Sequence, residues 1–251
     1  MMAYDFITKR LFVEEPLQAG GSIPLTAEQA NYLLNVLRLD NGAPVLLFNG
    51  QDGEWRSKVV KAGKKTGRLE VEEQTRAQTP KSDLTYLFAP LKQARLDYLA
   101  QKAVEMGVGR LVPVITQFTQ VRQVKTARIA ANALEAAEQC GILNLPEVEE
   151  AKGLAEAIEA LEPDRRLIFC DERHEGDPLA ALSALKGERL ALLIGPEGGF
   201  SDAERSAISA RPQTLTISLG PRILRADTAA VAALALLQAA AGDWRQTSPD
   251  Q

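Results

Sequence analysis

Two glycine–proline turns carry the chain's clearest chemistry. Gly195-Pro-Glu-Gly-Gly199 follows the apolar run Leu190-Ala-Leu-Leu-Ile194, and Gly220-Pro221 follows Leu215-Thr-Ile-Ser-Leu219. Glycine lets a backbone approach a ligand closely, and proline stiffens the loop. Main-chain N–H and C=O groups in such turns could read the edge of an adenine. Glu197 is a carboxylate that could face a cationic ligand; its plainer reading is a solvent-exposed or helix N-terminal charge. The spacing is not G-x-G-x-x-G, and no Gly-Lys-Ser/Thr follows. Neither the dinucleotide fingerprint nor the phosphate loop is present.

These turns need elements to hold them. Ser201-Asp-Ala-Glu204 has the form of a capping box and predicts a helix after the first turn. Asp227 is placed to cap a long Ala/Leu helix after the second. Two neighbouring strand ends, each feeding a helix, predict two backbone-rich loops at one edge of a parallel sheet, where open α/β sheets bind ligands. The preceding chain alternates in the same way. Strands are predicted at Leu84–Phe88, Leu111–Ile115 and Arg166–Cys170, with Pro113 marking an edge or irregular position. Helices are predicted from Gln93 to Met106, stopped by Gly107, from a Thr126 cap to about Cys140, and at 154–161 and 178–185.

Residues 1–75 have a different grammar and read as a small β-barrel with one helix. Arg10-Leu-Phe-Val13, Val45–Phe48, Glu54–Val60 and Arg68–Val71 are its strand candidates, with turns at Asn41-Gly42 and Asn49-Gly50. Thr26-Ala-Glu-Gln29 is a capping box, and Ala30, Leu33, Leu34 and Leu37 follow at helical spacing. Six basic residues and no acidic one lie between Arg56 and Arg68. The run reads either as a solvated hairpin or as an edge that contacts phosphates. Residues 76–82, with Pro80, predict a linker, and 83–251 a second domain.

Composition narrows the possibilities. The chain has 251 residues, 45% hydrophobic and 25% charged, as an ordinary globular protein does. A net charge of −4 means that nucleic-acid binding would depend on local patches. Cys140 and Cys170 suggest no disulfide framework or metal cluster and are expected to be buried thiols in a reducing compartment. His174, the only histidine, lies in a charged stretch and is expected to be exposed; with so few ligands, no metal is expected. The N-terminus lacks a signal-peptide profile, and the apolar stretch Ala229–Ala241 is too short to span a bilayer. A cytoplasmic protein is expected.

Leu193-Ile-Gly-Pro-Glu-Gly-Gly-Phe-Ser-Asp-Ala-Glu204 and Ser218-Leu-Gly-Pro-Arg-Ile-Leu-Arg-Ala-Asp-Thr-Ala229 together resemble the signature pair of the small-subunit ribosomal RNA uridine-N3 methyltransferases, within the SPOUT superfamily. Val36-Leu-Arg-Leu39 resembles that family's N-terminal PUA-like domain. Gln101–Val108 and Glu135–Cys140 resemble its middle segments. The chain departs from the family at Asp227, where Glu is common, at Ile142, where a basic residue is expected, at Ile129, where an aromatic is common, and at Asn31, near a frequent His.

The resemblance implies an α/β fold with a trefoil-knotted parallel sheet and a PUA-like RNA-binding barrel. It also implies a homodimer packed through the C-terminal helix; the apolar character of Ala229–Ala241 agrees with this. The implied methyl donor is S-adenosylmethionine, held by Ile194, Gly195, Pro196, Glu197, Gly199, Leu219, Gly220, Ile223, Leu224 and Arg225. Uridine N3 is a poor nucleophile until its proton is lost, and a guanidinium lowers the cost of the anion. Arg225 is the expected catalytic residue. Lys9, Arg10, Arg56, Lys58, Lys64, Lys65, Lys92 and Arg222 are the expected RNA contacts. Two other readings stay open on the sequence: a non-catalytic RNA-binding ribosome-assembly factor of the same fold, and a nucleotide-dependent oxidoreductase, which the missing dinucleotide fingerprint disfavours.

Overall fold

The computed structural model describes residues 5, 7–63 and 66–245. The chain divides into two compact units, one running to Lys81 and taking in Ala137–Leu145, the other comprising Ser82–Ala136 and the chain from Pro146. The segment 137–145, which the sequence assigns to the second domain, thus clusters with the first unit.

The first unit contains β1 (Arg10–Phe12), β2 (Ser22–Pro24), α1 (Ala27–Ala30), a π-helical turn (Asn31–Val36), β3 (Pro44–Phe48), β4 (Glu54–Lys61) and β5 (Gly67–Arg76). The five strands form one sheet in the order β1-β3-β4-β5-β2, with β1 parallel to β3 and the other pairs antiparallel. Alternation sends Val45, Leu47, Val59, Leu69 and Val71 into one core. Register shifts beside Trp55 and Ser57 mark bulges, which bend and twist a sheet. β5 runs five residues past the predicted Val71. The sequence does not predict the short β2, because three residues offer no periodicity.

Thr26 and Gln29 form the expected reciprocal capping box. The helix then widens, with Leu37 N–H donating to the Tyr32 carbonyl, and closes with Leu39 N–H on the Leu33 carbonyl at 3.0 Å. Arg38 sits between at φ 54°, the only non-glycine among the described residues with positive φ. This helix-ending position usually falls to glycine. A Cβ in left-handed backbone costs roughly 1–2 kcal/mol.

The second unit is built on a sheet in the order β12-β10-β11-β6-β7-β8, with β9 also on β7. In chain order its elements are β6 (Thr85–Phe88), α2 (Gln93–Glu105), β7 (Arg110–Ile115), most of α3 (Thr126–Cys140), β8 (Glu147–Val148), β9 (Lys152–Gly153), α4 (Leu154–Glu159), β10 (Arg166–Cys170), α5 (Pro178–Ser183), β11 (Leu190–Ile194), α6 (Asp202–Ala210), β12 (Thr214–Ile217) and α7 (Ala226–Ala240). Every pairing is parallel. The central strands are buried on both faces. Tyr86, Phe88, Leu192 and Ile194 join one core with α2 and α7, while Leu87, Ala191, Leu193 and Phe169 join another with α4 and Phe200.

Pro113 occupies an irregular position, as expected. On the outer side of β7, β8 pairs Arg110 and Leu111 and β9 pairs Val114 and Ile115, so Pro113 falls in the gap between them. Gly107, at φ 77°, ends α2, and the Gln238 amide of α7 donates to the Met106 carbonyl at 2.7 Å. That bond accounts for the one polar residue buried in the apolar α7.

Several local expectations change. Asp227 does not cap α7: Arg225 holds the N-cap position, and Asp227 lies in the first turn, where its carboxylate still meets the positive end of the helix. Thr126 lies inside α3, and its hydroxyl donates to Glu150 at 2.7 Å. Cys140 is exposed rather than buried. Cys170 is half-buried, and desolvation pushes its thiol up to about 12. His174 is exposed, as its charged neighbours suggest.

Candidate functional site

Parallel strands bring their C-terminal ends to one edge of the sheet. Register places Phe88 beside Ile194, Leu193 beside Phe169, and Cys170 beside Ile217. The loops that follow β6, β10, β11 and β12 therefore emerge together. The two glycine turns do not follow adjacent strands, however. β10 separates β11 from β12, which sets the strand ends roughly 10 Å apart. The loop after β10, beginning at Asp171, lies between them.

The first turn is held from several sides. Gly195 is fixed by packing: a Cβ there would lie 2.4 Å from the Phe200 ring. Phe200 stacks edge-on against Phe169 at 5.1 Å. Gly199 has φ 69°, which favours glycine. Ser201 and Glu204 form the predicted capping box at the start of α6, and Glu204 also accepts from Gln117 N–H at 2.7 Å. The buried Arg205 donates to the Phe200 carbonyl and to Glu172 and pairs with Asp171, tying the β10 loop to α6.

The second turn is open. Gly220 has φ 98°, and a Cβ there would meet nothing within 4 Å. Gly220, Arg222, Ile223 and Arg225 are exposed, Ile223 to 95%, while Leu219 and Leu224 are half-buried against the core. The side chains of Arg225 and Arg222 have no ion-pair or hydrogen-bond partner among the described residues, although most arginine side chains of this unit do. Arg225 also lacks a side-chain cap bond. Serine, aspartate or asparagine is the usual residue there, so local helix energetics do not account for the arginine.

One bridging residue has no signal in the local pattern. Arg95, in the first turn of α2, lies 3.2 Å from Glu197 and 3.9 Å from Asp227. Its guanidinium joins the first glycine turn to the start of α7. A cation is unfavourable at a helix N-terminus, so the two carboxylates supply the reason for it. Glu197 is thus paired with a protein cation. Beneath these loops, the Tyr86 hydroxyl is buried without a hydrogen-bond partner. Burial, then the charges of Cys170 and Asp227, push its pKa well up, so it stays a neutral donor.

The expected RNA contacts divide sharply. Lys9 in the first unit and Lys92 and Arg222 in the second are exposed and unpaired among the described residues. Arg10 is not available to a phosphate: it is 7% exposed and donates to the buried Glu54 at 2.8 Å. Burial works against ionising Glu54, but hydrogen bonds from Arg76 and Arg10 outweigh it and hold the carboxyl below its usual range. Arg56 pairs with Glu73 and Lys58 with Glu72. The basic run on β4 is therefore matched by acids on β5, which lie too far along the chain to show in the run itself. Lys64 and Lys65 lie outside the described residues. Of the departures, Ile129 is buried in the core, Ile142 is half-buried, and Asn31 accepts a hydrogen bond from Asn35 at 3.2 Å.

Comparison with known proteins agrees with this geometry. Residues 77–238 match the RNA methyltransferase domain family, and residues 25–72 match the RNA methyltransferase PUA domain. A ribosomal RNA small subunit methyltransferase E from Rickettsia conorii is 31% identical over 90% of this chain and 93% of its own. A putative methyltransferase from Legionella pneumophila, solved with bound S-adenosylmethionine, superposes with a TM-score of 0.83 at 30% identity, covering 94% of this chain and 99% of that one. The methyltransferase E of Neisseria gonorrhoeae, also solved with S-adenosylmethionine, gives 0.84 at 26% identity, covering 93% and 98%. With its glycine turns gathered at one sheet edge and both of its units matched, the chain belongs to the RNA methyltransferase family.

Proposed function

We propose that this protein transfers a methyl group from S-adenosylmethionine to N3 of a uridine in small-subunit ribosomal RNA. The observation that carries the reading is the exposed, unpaired Arg225 between an open glycine turn and the start of α7, at the sheet edge where the other loops converge.

The residues present suit that donor. Tyr86 offers a buried hydroxyl without a partner, Ile223 and Leu224 offer apolar surface, and Glu197 and Asp227, two carboxylates that share the one guanidinium of Arg95, leave negative charge over for a cation. Ile194, Gly195, Pro196, Glu197, Gly199, Leu219, Gly220, Ile223, Leu224 and Arg225 would hold it. S-adenosylmethionine, when bound, supplies a methyl group already activated on a sulfonium. Alignment and charge are then the protein's task. Arg225 stabilises the uridine anion left when N3 loses its proton. Arg95 fixes the separation of Glu197 and Asp227. Lys92 and Arg222 bind phosphates, as does Lys9 in the first unit, which serves as the PUA-like RNA-binding domain. Arg56 and Lys58 contribute less, because Glu73 and Glu72 already neutralise them. The imide edge is hidden in a paired helix, so the target uridine is read unpaired or turned outward.

The same reading includes a knotted crossing of the C-terminal strands, a cytoplasmic location and a homodimer. No described helix is long and apolar enough to cross a membrane. α7 leaves Val231, Ala232, Ala235 and Leu236 only half-covered, which supports a partner on that helix. The deciding experiment incubates the protein with labelled S-adenosylmethionine and small-subunit RNA, free or assembled, and maps modified nucleotides by mass. A single methylated uridine is expected. RNA binding without transfer would instead identify an assembly factor.

A further inference from the structure

We propose that Arg38 is an RNA-binding residue, contacting a backbone phosphate beside a base-stacking surface formed by Tyr32 and Val36. This rests on the reading that RNA is the substrate, and it moves the first unit's contact away from the basic hairpin.

Three observations converge on this turn. Arg38 takes left-handed backbone at φ 54°, where glycine would end the same helix without a steric penalty. Non-glycine residues held in such strained conformations cluster at functional sites. The side chain is exposed and has no acidic partner among the described residues. Among this unit's described arginines it stands apart: Arg10, Arg56, Arg68 and Arg76 all face a carboxylate. The turn it closes is π-helical, a form often found at functional sites. That turn also exposes two large apolar side chains, Tyr32 at 39% and Val36 at 62%, while Leu33 and Leu34 go into the core. A free guanidinium with an exposed ring nearby in the chain is the combination that binds single-stranded RNA, through phosphate and base together. Folding alone accounts for neither the arginine in this backbone nor the exposed ring.

The test is Arg38→Gly in the full chain, with a small-subunit ribosomal RNA transcript as the probe. The melting temperature should hold or rise by about 2–4 °C, since the strained backbone is relieved. S-adenosylmethionine affinity should not change. Transcript affinity should fall roughly tenfold, and the slope of log affinity against log salt should shrink by about one. Arg38→Lys should keep most of the affinity, and Tyr32→Ala should weaken it with the salt slope unchanged. If the wild type binds the transcript and Arg38→Gly binds it equally with the same slope, Arg38 is merely a tolerated helix end and the proposal falls. If the wild type neither binds nor methylates the transcript, the substrate reading fails and takes this inference with it.

Discussion

The two edges of the parallel sheet carry similar residues and use them oppositely. At the N-terminal edge, before β6, β10 and β11, arginines are locked. Arg165 is 1% exposed and donates to Glu162 and Asp83 at 2.6 Å and to the Leu190 carbonyl at 3.0 Å. Arg189 adds bonds to Asp83, Glu162 and Asp164. At the C-terminal edge, Arg225, Arg222 and Lys92 project without partners among the described residues. One edge closes the sheet with an ion-pair network, and the other, beside the paired Arg95 and Arg205, leaves these three cations for something outside the chain. Charge type alone does not separate structure from function here; the state of pairing does.

The sharpest way to break the contrast is Arg225→Ala. Methylation should fall about 10²–10³-fold, the range for losing a donor that stabilises a developing anion. S-adenosylmethionine affinity should be mostly kept, since Arg225 is only one of several residues placed around the methyl donor, and the urea midpoint should stay near wild type. Turnover close to wild type would show that Arg225 is ordinary surface. The counterpart is Arg165→Ala. Removing it leaves the Asp83 and Leu190 carbonyls without their donor, while Arg189 still pairs with both carboxylates, and should cost about 2 kcal/mol in urea unfolding. Turnover per folded molecule should be kept. A loss of activity larger than the loss of folded protein would mean that the edges are not independent.

How much of this is legible in the sequence follows from range. Local signals are clear: the runs at 166–170 and 190–194 are the observed strands, Ser201 and Glu204 form their capping box, and Gly107 stops α2. Family motifs add the donor and the reaction, which periodicity does not encode. What the sequence hides is pairing at a distance. Nothing near Arg10 announces that Glu54 will bury it, and nothing between Arg56 and Arg68 shows the acids across the ladder. The placement of β10 between the two glycine turns is likewise a matter of strand order. At Gly195 the expected close approach of a ligand is only part of the reason for glycine: Phe200, five residues on, already requires it.

Arg95 is a case of distant pairing within the site, and it sharpens the contrast by a smaller effect. Its partners lie 102 and 132 residues away along the chain. An exposed pair contributes up to about 1 kcal/mol, and the longer contact to Asp227 less than that to Glu197, so Arg95→Ala should weaken S-adenosylmethionine binding by roughly tenfold. The melting temperature should not move, because neither pair is buried. Arg95→Lys should recover part of the affinity. If calorimetry finds equal donor affinity in Arg95→Ala, the bridge does not set the loops.

The smallest expected effect is the acid response of the N-terminal edge. Glu162 is held at about 2, against an ordinary 4.5, first by the hydrogen bond from Arg165 and then by the charges of Arg165 and Arg110. A carboxyl whose folded pKa is depressed stabilises the fold fully above its unfolded value and loses that contribution as pH falls toward the folded one. The window therefore runs from about 4.5 down to about 2. Asp83, lowered chiefly by its bond to Arg189, adds a change of the same sign. The wild-type urea midpoint should drop as pH falls through this window, and Glu162→Gln should flatten part of the drop while starting from a lower midpoint. A variant that keeps the full wild-type slope would place the acid-sensitive groups elsewhere and remove the N-terminal network from the comparison.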